Sequence, residues 1–167
     1  MSRSADYWIK HLQLIQHVEG GWFSEVYRSS LLLSKEHLPI SFAGQRNACT
    51  HIYFLLEKKG FSAFHRIKSD ELWHFYDGDP LVIYEIEKDG QLKEHLLGND
   101  PGKGQSFFCV IKAGNWFGSR VAHDGEYGLA GCTVSPGFDF ADFELADKEA
   151  LLKTYPQHAE LIKRMTQ

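Results

Sequence analysis

Gly60-Phe-Ser-Ala-Phe-His65-Arg-Ile-Lys-Ser-Asp-Glu71-Leu-Trp-His74-Phe-Tyr-Asp-Gly78 holds two runs rich in aromatic and apolar side chains between two glycines. Both runs, 62–67 and 72–76, read as β-strands. Within them stand a histidine, a glutamate and a second histidine. Imidazole and carboxylate at this spacing suit a metal site or acid–base chemistry. Side chains alternate along a strand, so His65, Ile67 and Ser69 share one face, and Glu71, Trp73 and Phe75 share one. If the chain runs without a bulge, His65 and Glu71 point the same way and His74 points oppositely. A turn or bulge in Lys68-Ser69-Asp70 would reset that parity, and both geometries stay open.

Outward from this stretch the same pattern continues. Further strands are predicted over 24–29, 49–56, 81–87, 92–97, 106–111, 116–122, 127–134 and 142–145. Turn signals separate them, among them Asp77-Gly78-Asp79-Pro80, Gly98-Asn99-Asp100-Pro101-Gly102 and the hairpin signal Asp89-Gly90. The ends read as helices. Ser4 can cap a first one carrying Trp8, Leu12 and Ile15, ended by Glu19-Gly20-Gly21. Asp147 can cap a second over 148–153, and Pro156 suits the first turn of a last one with Leu161 and Ile162. About ten short strands at regular spacing make an all-β sandwich or barrel, with helices outside it and a concave mouth for a ligand.

A length of 167 residues favours one domain, and 43% hydrophobic residues suffice for one substantial core. The formal net charge is -4. Lys58-Lys59 and Lys163-Arg164 are isolated pairs, so no basic face for nucleic acid is expected. The three cysteines, Cys49, Cys109 and Cys132, lack CxxC spacing and read as reduced, buried thiols. The amino terminus lacks the apolar core of a signal peptide, and no run approaches a membrane span. A soluble, cytoplasmic protein without membrane contact is expected.

Each candidate residue has two readings. His65 is either a hydrogen-bonded, half-buried histidine or a functional one, and its neighbours favour function. Glu71, among Leu72 and Trp73, reads as more than a solvated strand carboxylate. His74 is less favoured, on parity. The other histidines, His11, His17, His37, His51, His95, His123 and His158, read as structural or surface residues. In 22–29, Phe23, Glu25 and Tyr27 alternate with Ser24, Val26 and Arg28. One face would put Glu25 and Tyr27 together in a cavity, where a carboxylate and a phenol bind hydroxyls or move protons; the alternative is a solvated edge strand. Trp116 and Phe117 line a pocket mouth or fill the core, and Gln105 with Ser106 could supply polar groups at a rim.

The central stretch resembles the first cupin motif, a glycine followed by a His-x-His pair, a glutamate and a closing glycine. His65, Glu71 and Gly78 match it, while Ile67 stands at the second histidine. Lys112-Ala-Gly-Asn-Trp-Phe117 resembles the core of the second motif, with Phe117 at its histidine. Two of the four usual metal ligands are thus replaced. The start Glu19-Gly-Gly-x-Phe23-x-Glu25-x-Tyr27-Arg28-Ser29 and the end Gly131-Cys-Thr-Val-Ser-Pro-Gly-Phe-Asp-Phe-Ala-Asp-Phe-Glu-Leu145 resemble a cupin branch of uncharacterised function. The start is also similar to the metal-free dTDP-4-dehydrorhamnose 3,5-epimerases, with Gly20 replacing their arginine.

The resemblance implies a double-stranded β-helix, a jelly-roll barrel over about 22–145 in one domain, 1–167, with flanking helices in 1–21 and 146–167. It implies a homodimer with a small-molecule pocket. Three activities follow. In a metal-independent epimerase or isomerase of a carbohydrate-like substrate, His65 would be the base, Glu71 its polarising partner and Tyr27 the acid. Glu25 and Arg28 would hold the substrate, with His74, Gln105 and Trp116 also in the pocket. The second activity is binding without catalysis. The third is a metalloenzyme with His65, Glu71 and His74 as ligands, the one case needing a cofactor, a divalent metal.

Overall fold

The computed structural model describes residues 3–167; residues 1 and 2 of the expected domain lie outside them. In chain order the elements are α1 (Ala5–His11), β1 (Ile15–Gln16), β2 (Trp22–Arg28), β3 (Leu32–Leu33), β4 (Arg46–Asn47), β5 (Thr50–Glu57), β6 (Phe61–Arg66), β7 (Asp70–Gly78) and β8 (Leu81–Ile86). There follow β9 (Leu92–Leu97), β10 (Phe108–Ile111), β11 (Trp116–Val121), β12 (Tyr127–Ser135), β13 (Glu144–Leu145), α2 (Lys148–Thr154) and α3 (Ala159–Arg164). One sheet has the order β1-β2-β5-β12-β7-β10 and the other β13-β6-β11-β8-β9, with β3 and β4 paired apart. The sheets face each other as a jelly roll. Between them pack Phe54, Leu56, Trp73 and Cys132 of the first sheet and Ile83, Phe117 and Val121 of the second.

Helices cover outer faces. Leu151, Leu161 and Ile162 of α2 and α3 pack on Phe64, Val82, Tyr84 and Ile86 of the five-stranded sheet. That is why all six residues of β8 are buried and its sequence shows no alternation. Trp8, Ile9 and Leu12 pack beside Leu55 and Leu129 at one end of the six-stranded sheet.

The caps fall where expected. Ser4 accepts from the Tyr7 N–H, and Asp147 accepts from the Ala150 N–H. The first helix is shorter than predicted, ending at His11, with Ile15 in β1 and exposed. Gln13 takes φ 53°, which breaks the helix before the glycines do. The glycines turn a β-hairpin instead: His17 N–H donates to Gly21 O at 3.0 Å, and β1 pairs with β2. Gly20 has φ +105°, and a Cβ there would run into the Phe61 carbonyl. This contact presses the 17–21 loop onto β6, where Ala63 N–H donates to Glu19 O at 2.8 Å. The last predicted strand shrinks to Glu144–Leu145, since Phe140–Asp142 forms a 3-10 turn capped by Asp139.

Candidate functional site

A cavity of about 330 Å³ opens between the two sheets. Its walls come from β2, β5, β6, β7 and β12, from the 17–19 loop, and from the segment 138–143, which covers the mouth with Phe138, Asp139, Phe140 and Phe143. Phe23, Ile52, Phe54, Ile67, Trp73 and Val134 make most of the interior apolar. Against these walls stand a few ionisable groups, which is the usual composition of a small-molecule site.

Deepest among them is a histidine–glutamate pair. His65 Nδ1 lies 2.7 Å from the Ala63 carbonyl, and Nε2 lies 3.1 Å from Glu19 Oε2. A carbonyl can only accept, so Nδ1 carries a hydrogen. The contact at Nε2 then needs a second proton, on the ring or on Glu19. Ser62 donates to Glu19 Oε1 at 2.8 Å, and His17 Nδ1 lies 3.4 Å from Oε2. Burial pushes the Glu19 carboxyl up, but the His65 charge and the contacts of His17 and Ser62 outweigh it and hold it below its ordinary value. Burial pushes the His65 imidazole down, against the upward pull of Glu19 and Ala63.

Glu71 is buried too. Desolvation first, and then the charge of Glu19, push its carboxyl up to about 8. At neutral pH it is a carboxylic acid. The Cys132 thiol beside it is pushed well above its ordinary value by burial and stays protonated.

At the mouth Arg28 forms a fork on Glu25, with bonds of 2.9 and 2.7 Å. The guanidinium also donates to Asn47 Oδ1 at 2.9 Å and to Phe138 O at 3.2 Å, tying the covering segment to β2. A buried ion pair anchors the far end of that segment, Arg46 to Asp142 at 2.6 and 2.7 Å.

The chain matches the family described as Cupin superfamily (DUF985) over residues 6–146. It belongs to that cupin family. A curated relative, an uncharacterised protein of Saccharomyces cerevisiae, is 31% identical over 157 residues, covering 87% of this chain and 76% of that one. A hypothetical protein from Leishmania major superposes with a TM-score of 0.90 at 38% identity, covering 98% of this chain and 99% of that one. A protein of Shewanella oneidensis superposes with a TM-score of 0.87 at 41% identity, covering 99% and 98%. Oxalate decarboxylase from Bacillus subtilis shares the fold alone, with a TM-score of 0.54 at 13% identity.

In this cupin the four metal-ligand positions of the motifs hold His65, Ile67, Glu71 and Phe117. Ile67 and Phe117 offer no donor atom, and the Phe117 ring packs on His65 with centroids 4.1 Å apart. Among the described residues no group of three or more His, Cys, Asp or Glu side chains is arranged to hold a metal ion. The reduced set fares no better, because His74 faces away from the cavity. Neither donor set fits a metal.

Of the predicted site residues, the cupin fold brings His65, Glu71, Glu25 and Arg28 to the cavity. His65 and Glu71 meet across the interior from different sheets, since the chain changes sheet between β6 and β7. Strand parity between them is therefore not what aligns them. Four residues are elsewhere. Tyr27 is exposed outside because a bulge between Glu25 and Tyr27 resets the parity of β2. Glu25 pairs with Ile52, which lines the cavity, whereas Tyr27 pairs with outward-facing His51. His74, three residues from Glu71, packs on Phe108 outside the sheet, ring centroids 5.3 Å apart. Gln105 turns back to accept from Asp100 N–H at 3.0 Å. Trp116 lies under Arg66, 4.4 Å from the guanidinium, among the helix contacts of the five-stranded sheet.

Glu19 and His17 were not among the predicted site residues. Glu19 served only as a helix end and a family match, and His17 as a structural histidine. Their signal was the hairpin: two glycines after His-x-Glu turn the loop inward rather than stop a helix. Trp73 and the phenylalanines of 138–143 also line the site, and their spacing is that of ordinary core residues.

Proposed function

We propose that the cavity is a metal-independent proton-transfer site acting on a small carbonyl compound, as in an epimerase or isomerase of a carbohydrate-like substrate. One observation carries this reading: His65 Nε2 lies 3.1 Å from Glu19 Oε2 in one wall of the cavity, while Glu71, buried in the same cavity, has its carboxyl pushed up to about 8. Taking a proton from a carbon and supplying one elsewhere on the substrate needs a group that can accept and a group that can donate. His65 and Glu19 together take the proton at Nε2 or the carboxylate. Glu71 replaces Tyr27 in the acid role, since the phenol is outside. Glu25 and Arg28 hold polar substrate groups at the mouth.

The test is solvent deuterium incorporation into a panel of keto sugars and related carbonyl compounds, followed by proton NMR. Wild-type protein should label a substrate, and His65→Ala should lose at least about a hundredfold of that rate while remaining folded. Unchanged labelling in the variant overturns the reading. Tight binding of a panel member without labelling favours the second reading, ligand binding without catalysis, which the aromatic walls support.

The proposal includes one cupin domain over 1–167 and a homodimer. Exposed Tyr27, Tyr76 and Phe108 on the outer face of the six-stranded sheet support pairing. The cysteines are free, which suits a cytoplasmic setting. No helix among the described residues is long and apolar enough to cross a membrane.

A further inference from the structure

Trp73 is 1% exposed, lines the cavity, and its indole Nε1 has no hydrogen-bond partner. Buried indole N–H groups nearly always find an acceptor, so one left over in a cavity wall points to a missing ligand atom. Glu71 precedes Trp73 by two residues on β7 and so shares its face. The indole N–H lies close enough to the Glu71 carboxyl to pull its value down a little, but falls short of a full hydrogen bond to it. Cys132, paired with Trp73 across β12 and β7, directs its thiol at the same carboxyl.

We propose that the Trp73 indole N–H and the Glu71 carboxyl O–H are two donors to one ligand oxygen, a carbonyl that becomes an enol during proton transfer. The proposal rests on the proton-transfer reading of this site and narrows the ligand to compounds with a carbonyl oxygen on a compact, largely apolar body. A polyol without a carbonyl would leave the donors poorly used. Donors aimed at the oxygen where charge develops favour the transition state over the substrate. A carboxylic acid kept neutral by an apolar site is a known form of such a donor.

The step balances without a redox partner. The C–H bond next to the carbonyl breaks and its proton goes to the His65–Glu19 pair. The bonding electrons form the C=C bond of the enol, whose oxygen takes the Glu71 proton. Return of the enol proton to Glu71 and of a proton from the His65–Glu19 pair to the carbon regenerates the carbonyl, with that carbon inverted when the enol turns its other face to the pair. Besides Trp73, the groups facing Glu71 are Cys132 from β12, His65 from β6, and Glu19 and His17 from the hairpin loop. Glu25, Arg28 and Asp139 stand at the mouth.

The test is proton–nitrogen NMR of the tryptophan indoles, four in this chain. The Trp73 signal is assigned by its loss in Trp73→Phe, or by elimination with Trp8→Phe, Trp22→Phe and Trp116→Phe if that variant does not fold. Cyclohexanone is the carbonyl probe and methylcyclohexane the control of similar shape. Cyclohexanone should move the Trp73 indole proton downfield and methylcyclohexane should not. Affinity for cyclohexanone should fall about fivefold in Glu71→Leu and stay near wild type in Glu71→Gln, whose amide still donates. An unmoved Trp73 signal, or full affinity in Glu71→Leu, overturns the proposal. The deuterium experiment fails separately: labelling with an unmoved indole sinks the donor pair alone. A moved indole with no labelling of any carbonyl compound sinks catalysis and leaves a carbonyl-binding site.

Discussion

Glu71 makes the stability of this protein depend on pH in an uncommon direction. Its carboxyl has an ordinary value of 4.5 and is pushed up to about 8 in the folded state, by burial and by Glu19. Between those values the folded chain keeps a proton that the unfolded chain releases. Stability contributed by Glu71 is therefore full below 4.5 and lost as pH rises to about 8, with a slope of about 1.4 kcal/mol per pH unit. Glu85 acts in the opposite sense. Burial would raise it, but hydrogen bonds from His95, Asn115 and the Lys112 N–H hold it at about 2. Its contribution is present above the ordinary carboxylate range and lost as pH falls through about 2. Urea melts across this range should show Glu71→Gln flattening the loss on the alkaline side while leaving the acid limb unchanged. A variant with the same alkaline slope as wild type would mean that Glu71 is ionised in the folded protein.

Among the elements, the covering segment 138–143 is held at its far end by one buried ion pair, Arg46–Asp142, and at its near end by Arg28 and Thr50 on Phe138. Asp142 is held below its ordinary value by Arg46, with Lys68 3.4 Å away, despite the burial that opposes this. Removing one partner leaves the other charged and buried. Asp142→Ala should cost about 3–5 kcal/mol in chemical denaturation and should loosen the cavity mouth. A cost below about 1 kcal/mol would place the pair in the class of solvated surface bridges. The bulge in β2 is the other decisive local feature. Without it, the alternation of Glu25 and Tyr27 puts both in the cavity; with it, Glu25 and Arg28 turn inward together. Alternation was readable in the residues, but a bulge depends on how β2 registers against β5, a strand more than twenty residues away.

For the whole molecule, the outer face of the six-stranded sheet brings together Tyr27, His51, Thr133, Tyr76 and Phe108 from five strands. His51 Nδ1 lies 2.7 Å from Thr133 Oγ1, and its Nε2 lies 3.1 Å from the Tyr76 hydroxyl. A face of this kind left open suits a second copy by two-fold pairing. Light scattering should report a dimer for the wild type and a monomer for Phe108→Lys. A wild-type monomer at working concentration, or a dimeric variant, would remove this face from the interface.

The sequence alone determined the sheet-rich fold, because β-branched and aromatic runs broken by Asp-Gly and Pro-Gly turns act locally, over a few residues. It determined the caps of the helices at Ser4 and Asp147 for the same reason, and it pointed to His65 and Glu71 through their flanking glycines. The tertiary structure decided what these residues meet. Glu19 reaches His65 because a hairpin folds back onto β6, and Glu71 becomes an acid because another sheet covers it. Charge, proton count and access to the cavity are set by neighbours distant in the chain, whose approach no local pattern of side chains records.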